Sequence, residues 1–341
     1  MSTATIHHGD ALEILAALPT ASVHAVVTDP PYGLSNTTPA QVTETLGRWT
    51  AGDRAYVPTT RAGGFMGHDW DGFVPPPALW DQVHRVLKPG GHLFTFAGTR
   101  TVDLMGTAIR LAGFDLRGTS TWIHSQGMSK AKGQLKPAHE PIIMARKPFP
   151  GSATANAAAH GVGTLRTDAV RIPYRNPADL AAAQKKNPGR TDKVTTAVYD
   201  RDRPQQSVNA AGRAATDVVF DEAAAEYLDA TTGPHRDDVG GPSRFFFVAK
   251  ASQAERVAVD GVSHPTQKPL SLMRYLVRLA SAPGQVIIDP FAGSGTTVEA
   301  ALLEDVEVIA VEQKAAYLPL IRYRIDRATT VVNPPTPDAL F

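Results

Sequence analysis

The sequence predicts an α/β fold: a doubly wound, mostly parallel sheet with helices on both faces. Three observations predict it. Short β-branched runs alternate with stretches of helical spacing along most of the 341 residues, the pattern of strand–helix–strand units. Gln285 to Asp289 reads as a buried strand that enters the glycine-rich turn Pro290-Phe291-Ala292-Gly293-Ser294-Gly295-Thr296-Thr297 and then a helix from Val298 to Leu303. A strand, a glycine-rich turn and a helix form the first unit of a nucleotide-binding crossover. Asp10 and Asp29 each end a short apolar run, which puts two acids on the sheet rim where open α/β sheets bind ligands.

Each element can be justified in turn. Ile6 to Asp10 is a short strand, and Ala11 to Leu18 is a helix carried by Leu12, Leu15 and Leu18 until Pro19 stops it. Val23 to Thr28 is the next strand and breaks into Asp29-Pro30-Pro31-Tyr32. Each proline fixes its own φ and holds the residue before it extended. The corner therefore offers a carboxylate, the Pro30 carbonyl and a flat ring off the end of a strand. Two acceptors suit the two hydrogens of an exocyclic amine, and a ring suits stacking on a planar base. Gly33 to Gly72 lacks clean periodicity and reads as a functional loop that folds over a ligand.

Ala78 to Leu87 is a helix, with Lys88-Pro89-Gly90-Gly91 as its C-cap and His92 to Ala97 as the strand that follows. Val102 to Ala112 is a further helix, and Phe114 to Trp122 a strand. Lys130, Lys132 and Lys136 lie in a turn-rich connection through His139-Glu140-Pro141, and Ile142 to Ala145 is the strand after it. Such a one-signed cluster suits phosphate contact. Gly151 to Val262 shifts towards Ala, Gly and short polar residues; it carries Lys185, Lys186, Arg190, Lys193, Arg201, Arg203 and Arg213, with Gln205, Gln206 and Asn209. Arg, Asn and Gln are the types that read base edges. Ser243 to Lys250 restores a core strand, and His264-Pro265-Thr266-Gln267-Lys268-Pro269 precedes a helix with Leu272, Leu276 and Leu279. Val306 to Val311 is the strand ending at Glu312, a place for accepting ribose hydroxyls, and Ala315 to Arg327 is the last helix.

Composition narrows the classes. A hydrophobic share of 43% supports a sizeable core, in one large domain or two smaller ones. The chain has no cysteine, which excludes a disulfide framework, a zinc–thiolate site and a thiol nucleophile. No apolar run is long enough to span a bilayer and Met1 to Asp10 lacks an apolar signal, so the expectation is a cytoplasmic protein without a membrane partner. With a formal charge of +1, any nucleic-acid surface must be locally concentrated. The turn lacks the third glycine of a dinucleotide fingerprint, because Val298 stands there, and no Lys-Ser/Thr follows as a P-loop requires.

Asp29-Pro30-Pro31-Tyr32 resembles the catalytic motif of the DNA amino-methyltransferases, which methylate N6 of adenine or N4 of cytosine. Asp289 to Thr296 resembles their S-adenosylmethionine motif, and His264 to Pro269 completes the set. With the catalytic corner first and the cofactor turn last, the order resembles the β-class. The likeness covers most of the chain and is weakest between Gly151 and Gly241. It implies a Rossmann-like seven-stranded sheet with permuted motif order and an inserted target-recognition segment. The implied division is 1–150 for the catalytic half, 151–242 for the insertion, 243–330 for the cofactor half and 331–341 for a tail.

The resemblance also assigns roles. Asp29, Pro30, Pro31 and Tyr32 are the catalytic set. S-adenosylmethionine is the cofactor, met by Asp10, Asp29, Lys268, Asp289, Phe291, Ala292, Gly293, Ser294, Gly295, Thr296 and Glu312, with Lys268 towards its methionine end. Double-stranded DNA is the partner, met by Lys130, Lys132, Lys136, Lys185, Lys186, Arg190, Arg201 and Arg203. No metal is required. A homodimer and a cognate restriction endonuclease are compatible with the resemblance. Asp rather than Ser at 29 favours adenine N6, with cytosine N4 as the alternative; an oxidoreductase and a non-catalytic DNA-binding module are the more distant ones. His24 stands where relatives often carry Asp and reads as a harmless surface change.

Overall fold

In the computed structural model the described residues are 2–35, 37–59, 69–125, 127, 132–133, 135–186, 208–233, 240–250 and 255–330. The first half contributes strands β1 (Ala4–His8), β2 (Val23–Thr28), β3 (Leu87–Phe96), β4 (Asp115–Ile123) and β5 (His139–Arg146). Helices α1 (Ala11–Ala17), α2 (Pro39–Thr50), α3 (Pro77–Val86) and α4 (Val102–Leu111) lie between them. The second half adds α5 (Ala153–His160), α6 (Pro177–Lys186), β6 (Val218–Asp221), α7 (Glu222–Thr232) and β7 (Phe247–Ala249). It closes with the small hairpin β8 (Ala258–Val259) and β9 (Val262–Ser263), then α8 (Leu270–Ala280), β10 (Val286–Asp289), α9 (Thr296–Leu303), β11 (Glu307–Glu312) and α10 (Leu318–Thr330).

One mixed sheet organises the described residues, in the order β1-β11-β10-β2-β3-β5-β4-β6-β7. All its pairings are parallel except those of β5, which runs antiparallel to β3 and β4. The expected seven strands become nine, because short β6 and β7 continue the sheet beyond β4. Val218–Asp221 lies inside the segment read as an insertion, so that segment also builds the scaffold.

Alternating residues face opposite layers, as the pleat requires. Phe94, Phe96 and Ile287 join the core under α8 and α9, with Leu272, Leu276 and Val298. Leu93 and Ile288 join the opposite core, with Leu15, Trp80, Val83 and Met105. That division is what makes the sheet doubly wound.

Several expectations change. Gly33 to Gly72 contains α2, held by a capping box in which Thr38 and Gln41 satisfy each other's amides. Lys88 to Gly91 is not a helix cap: α3 ends on extended Leu87, and β3 already begins there. Gly91 is required for closeness, since a Cβ there would sit 2.7 Å from the His24 carbonyl. His24 is not a surface residue. Its Nδ1 accepts from the Val286 amide at 3.0 Å and Lys88 Nζ lies 2.6 Å from its Nε2; burial pushes its imidazole down. Arg213 is committed to a bidentate pair with Asp179, at 3.0 and 2.6 Å.

Candidate active site

The site forms where β2 and β10 lie side by side, with Ala25 opposite Ile287 and Val26 opposite Ile288. This pairing brings together the acid corner and the glycine turn, 260 positions apart in sequence. The two strand ends are tied directly, because the buried Thr28 hydroxyl donates to Asp289 Oδ1 at 2.6 Å. A cavity of about 890 Å³ opens over this rim and reaches from Asp10 and Glu312 through the glycine turn to Asp29, Tyr32 and Glu140.

The cofactor-side residues meet the cavity in different ways. Asp10 caps α1, its Oδ1 accepting from Leu12 and Glu13 amides at 2.9 and 3.2 Å. Asp289 Oδ1 also accepts from the Phe291 amide at 3.1 Å, and burial raises its carboxyl to about 6. Glu312 accepts from the Gly293 amide at 2.8 Å and the Lys314 amide at 2.7 Å. A carboxylate has about four acceptor positions, so capacity for ligand hydroxyls is left over. Ser294 and Thr296 pair through their hydroxyls at 3.1 Å. Gly293 and Gly295 have φ of 51° and 80°, a region that favours glycine. A Cβ on Gly295 would also meet Ile321 Cα at 2.9 Å. Ala292 is buried in the core beneath the turn. Backbone amides beside a shaped cavity and a terminal carboxylate suit a nucleoside with an amino-acid tail.

At the other side, Asp29 is enclosed by three partners. Lys268 Nζ lies 2.5 Å from Asp29 Oδ2 and 3.4 Å from Glu140 Oε2. The Tyr32 hydroxyl lies 2.8 Å from Asp29 Oδ1 and 2.6 Å from Glu140 Oε2. Burial pushes the Asp29 carboxyl up, with Lys268 opposing and Glu140 reinforcing. For Lys268, burial is outweighed by the two carboxylates, which hold its ammonium above the usual range. Lys268 therefore lies directly against the acid corner, a contact the resemblance did not imply. The corner itself is anchored by Asp71, whose Oδ1 accepts from the Tyr32 and Gly33 amides at 2.6 and 3.0 Å. Thr101 donates to the Tyr32 carbonyl at 2.5 Å. Pro30 is buried and Pro31 half-buried against the cavity.

Sequence reasoning left Glu140, Asp71 and Thr101 outside the site. A signal for Glu140 existed in its position just before an apolar run, yet Pro141 delays a strand reading until Ile142. The strand starts at His139, which aims Glu140 at the rim. Of the basic residues, Lys132, Lys136 and Lys185 are exposed, and Lys136 Nζ donates to the Ser125 carbonyl at 2.6 Å. Lys186 closes α6. Lys130, Arg190, Arg201 and Arg203 lie outside the described residues.

Fold and rim together define an α/β enzyme with a nucleotide-type berth beside a buried acid–aromatic corner. Residues 23–322 match the N6/N4 DNA methylase family, and the chain belongs to it: it is a DNA methyltransferase. The DNA adenine methyltransferase YhdJ of Escherichia coli (strain K12) is 23% identical over 328 residues, 95% of this chain and 83% of the relative. The cytosine-N4-specific PvuII DNA methyltransferase shares the fold at a TM-score of 0.53, with 15% identity over 97% of this chain and 92% of that one. The M1.HpyAVI complex with S-adenosylmethionine aligns over 94% of this chain and 100% of that one, at 15% identity and a TM-score of 0.44. Among the described residues no helix is long and apolar enough to cross a membrane.

Proposed function

We propose that this enzyme methylates N6 of adenine within a specific sequence of double-stranded DNA, extruding the target base into the cavity. The observation that carries the reading is the Thr28–Asp289 bond, 2.6 Å, which fixes the acid corner beside the glycine turn. S-adenosylmethionine supplies an activated sulfonium methyl. Glu312 would bind its ribose hydroxyls, the Phe291–Thr296 turn would hold its tail and Asp10 would meet its adenine side. Extruding a base costs a few kcal/mol, and stacking on an aromatic ring returns about 1–3 kcal/mol. Tyr32 provides that ring. Asp29 and the Pro30 carbonyl accept the two amine hydrogens, which localises the nitrogen lone pair for in-line attack. Asp29 then stabilises the positive charge developing on nitrogen.

Adenine is favoured by the acid at 29 and by the relative YhdJ, a DNA adenine methyltransferase. Lys132, Lys136 and Lys185 are offered as phosphate contacts. Mass spectrometry of nucleosides from DNA treated with the enzyme tests the target atom: N6-methyladenine is expected, and N4-methylcytosine alone overturns the adenine assignment. Replacing Asp29 by Ala is expected to lower methyl transfer by at least about 1000-fold, in the range of a lost transition-state contact, while S-adenosylmethionine still binds in a calorimetric titration. Activity near wild type in that variant removes Asp29 from the mechanism.

A further inference from the structure

Resting on the methyltransferase reading, we infer that Glu140 is the terminal proton acceptor of the reaction, reached from Asp29 through the Tyr32 hydroxyl. The inference begins with counting protons. A phenol has one hydrogen to donate. The Tyr32 oxygen nevertheless stands at hydrogen-bond distance from two carboxyls, 2.8 Å from Asp29 Oδ1 and 2.6 Å from Glu140 Oε2. Its one hydrogen therefore bridges two acceptors, and the oxygen can accept from Asp29 when that carboxyl takes up a proton while it donates to Glu140. Lys268 lies against both carboxyls and offsets part of their negative charge.

Both ends of this wire line the cavity, with 19% of the Asp29 side chain and 24% of the Glu140 side chain exposed. The groups facing Glu140 are Asp29 and Tyr32 beyond β2, Lys268 before α8 and His124 beyond β4, whose Nε2 is 4.0 Å from Glu140 Oε1. Burial pushes the His124 imidazole down, so it adds little competing positive charge.

Methyl transfer forms a nitrogen–carbon bond as the carbon–sulfur bond breaks, its electron pair going to sulfur. The amine is left with one proton too many. That N–H bond breaks, its pair returning to nitrogen, and the proton goes to Asp29. Asp29 passes a proton to the Tyr32 oxygen while Tyr32 passes its own to Glu140. Glu140, about a quarter exposed, releases it to water. No other reactant is consumed. Asp29 must be ionised to take the proton, and burial with Glu140 nearby pushes its carboxyl up, so the rate rises with pH as Asp29 ionises.

Single-turnover rates with labelled S-adenosylmethionine and unmethylated plasmid, measured across pH, test this. A wild-type enzyme that labels no DNA fails the methyltransferase reading itself, before any variant is compared. Glu140→Gln removes the acceptor and also the negative charge that helps push the Asp29 carboxyl up. The expected result is a plateau lowered on the order of 100-fold, with the acid limb displaced to lower pH and the S-adenosylmethionine titration unchanged. Tyr32→Phe keeps the ring and cuts the wire; it is expected to lower the plateau comparably, and the double variant to fall no further. A uniform drop with the acid limb unmoved makes Glu140 merely structural and overturns the assignment. So does an unchanged plateau in either variant. Should Glu140→Gln fail to fold, Tyr32→Phe decides: beside the lowered plateau, loss of a hydrogen bond that holds the Asp29 carboxyl down moves its acid limb to higher pH, and an unmoved plateau overturns the assignment.

Discussion

Asp71 accepts two consecutive amides with one oxygen, and that single fact fixes where Tyr32 points. Gly33, next along, has φ of 66°, and a Cβ there would lie 2.8 Å from the Val74 amide. The corner is therefore held from beneath by one side chain and by the lack of another. Asp71→Ala strands both amides, at a cost of about 1–3 kcal/mol. Thermal unfolding should show that loss, and kcat should fall about 10- to 100-fold, in line with a misplacement far smaller than an atom's width, while cofactor affinity changes little. Asp289 makes a second prediction at this scale. Its carboxyl titrates at about 6, against 3.8 for an unperturbed one. The folded state thus holds a proton that the unfolded chain has released. The contribution to stability is fully present below the unfolded value and is lost as pH rises through about 6, by on the order of 2–3 kcal/mol. Denaturation of wild type and Asp289→Asn between pH 4 and 7 should show this slope in the first and not in the second.

At the scale of elements, α2 shows what makes a helix hard to read. Val42, Leu46 and Trp49 do follow helical spacing, and Thr38 with Gln41 is a start signal. Gly47 and three threonines dilute that signal, and packing settles the outcome. Trp49 is 1% exposed and meets Phe73 edge to face, 6.2 Å between ring centres; its indole also donates to the Tyr56 carbonyl at 2.8 Å. Trp49→Ala should cost about 3–5 kcal/mol, seen in urea unfolding. Because Phe73 precedes the Val74 amide under Gly33, the variant should also lose activity at temperatures where it stays folded. The strands facing the cavity were easier: β2, β10 and β11 are apolar runs bounded by acids, prolines and glycines. β7 lies within the strand read at Ser243 to Lys250, whereas β6, of four residues, is too short to show a period. Its pairing comes from the sheet edge it joins, which no local stretch of sequence contains.

For the molecule as a whole, the acid corner and the glycine turn were legible because each is a short motif at a strand end. Their nearness was an inference from rim geometry, and the β2–β10 pairing supplies it. Glu140 and Lys268 were harder. They come from β5 and from the segment before α8, and only the complete sheet sets them around Asp29. The strand order has one more consequence, and it concerns the ribosome. β10 is the second-to-last strand to emerge, yet it sits between β2 and β11 near the middle of the sheet. A nascent chain stalled before Val286 has no neighbour for one side of β2 and nothing to connect β1 to the other strands. Arrested chains of that length should be cut rapidly by protease, while chains released beyond Thr330 resist. A DNA methyltransferase is thereby kept silent until its synthesis is nearly done.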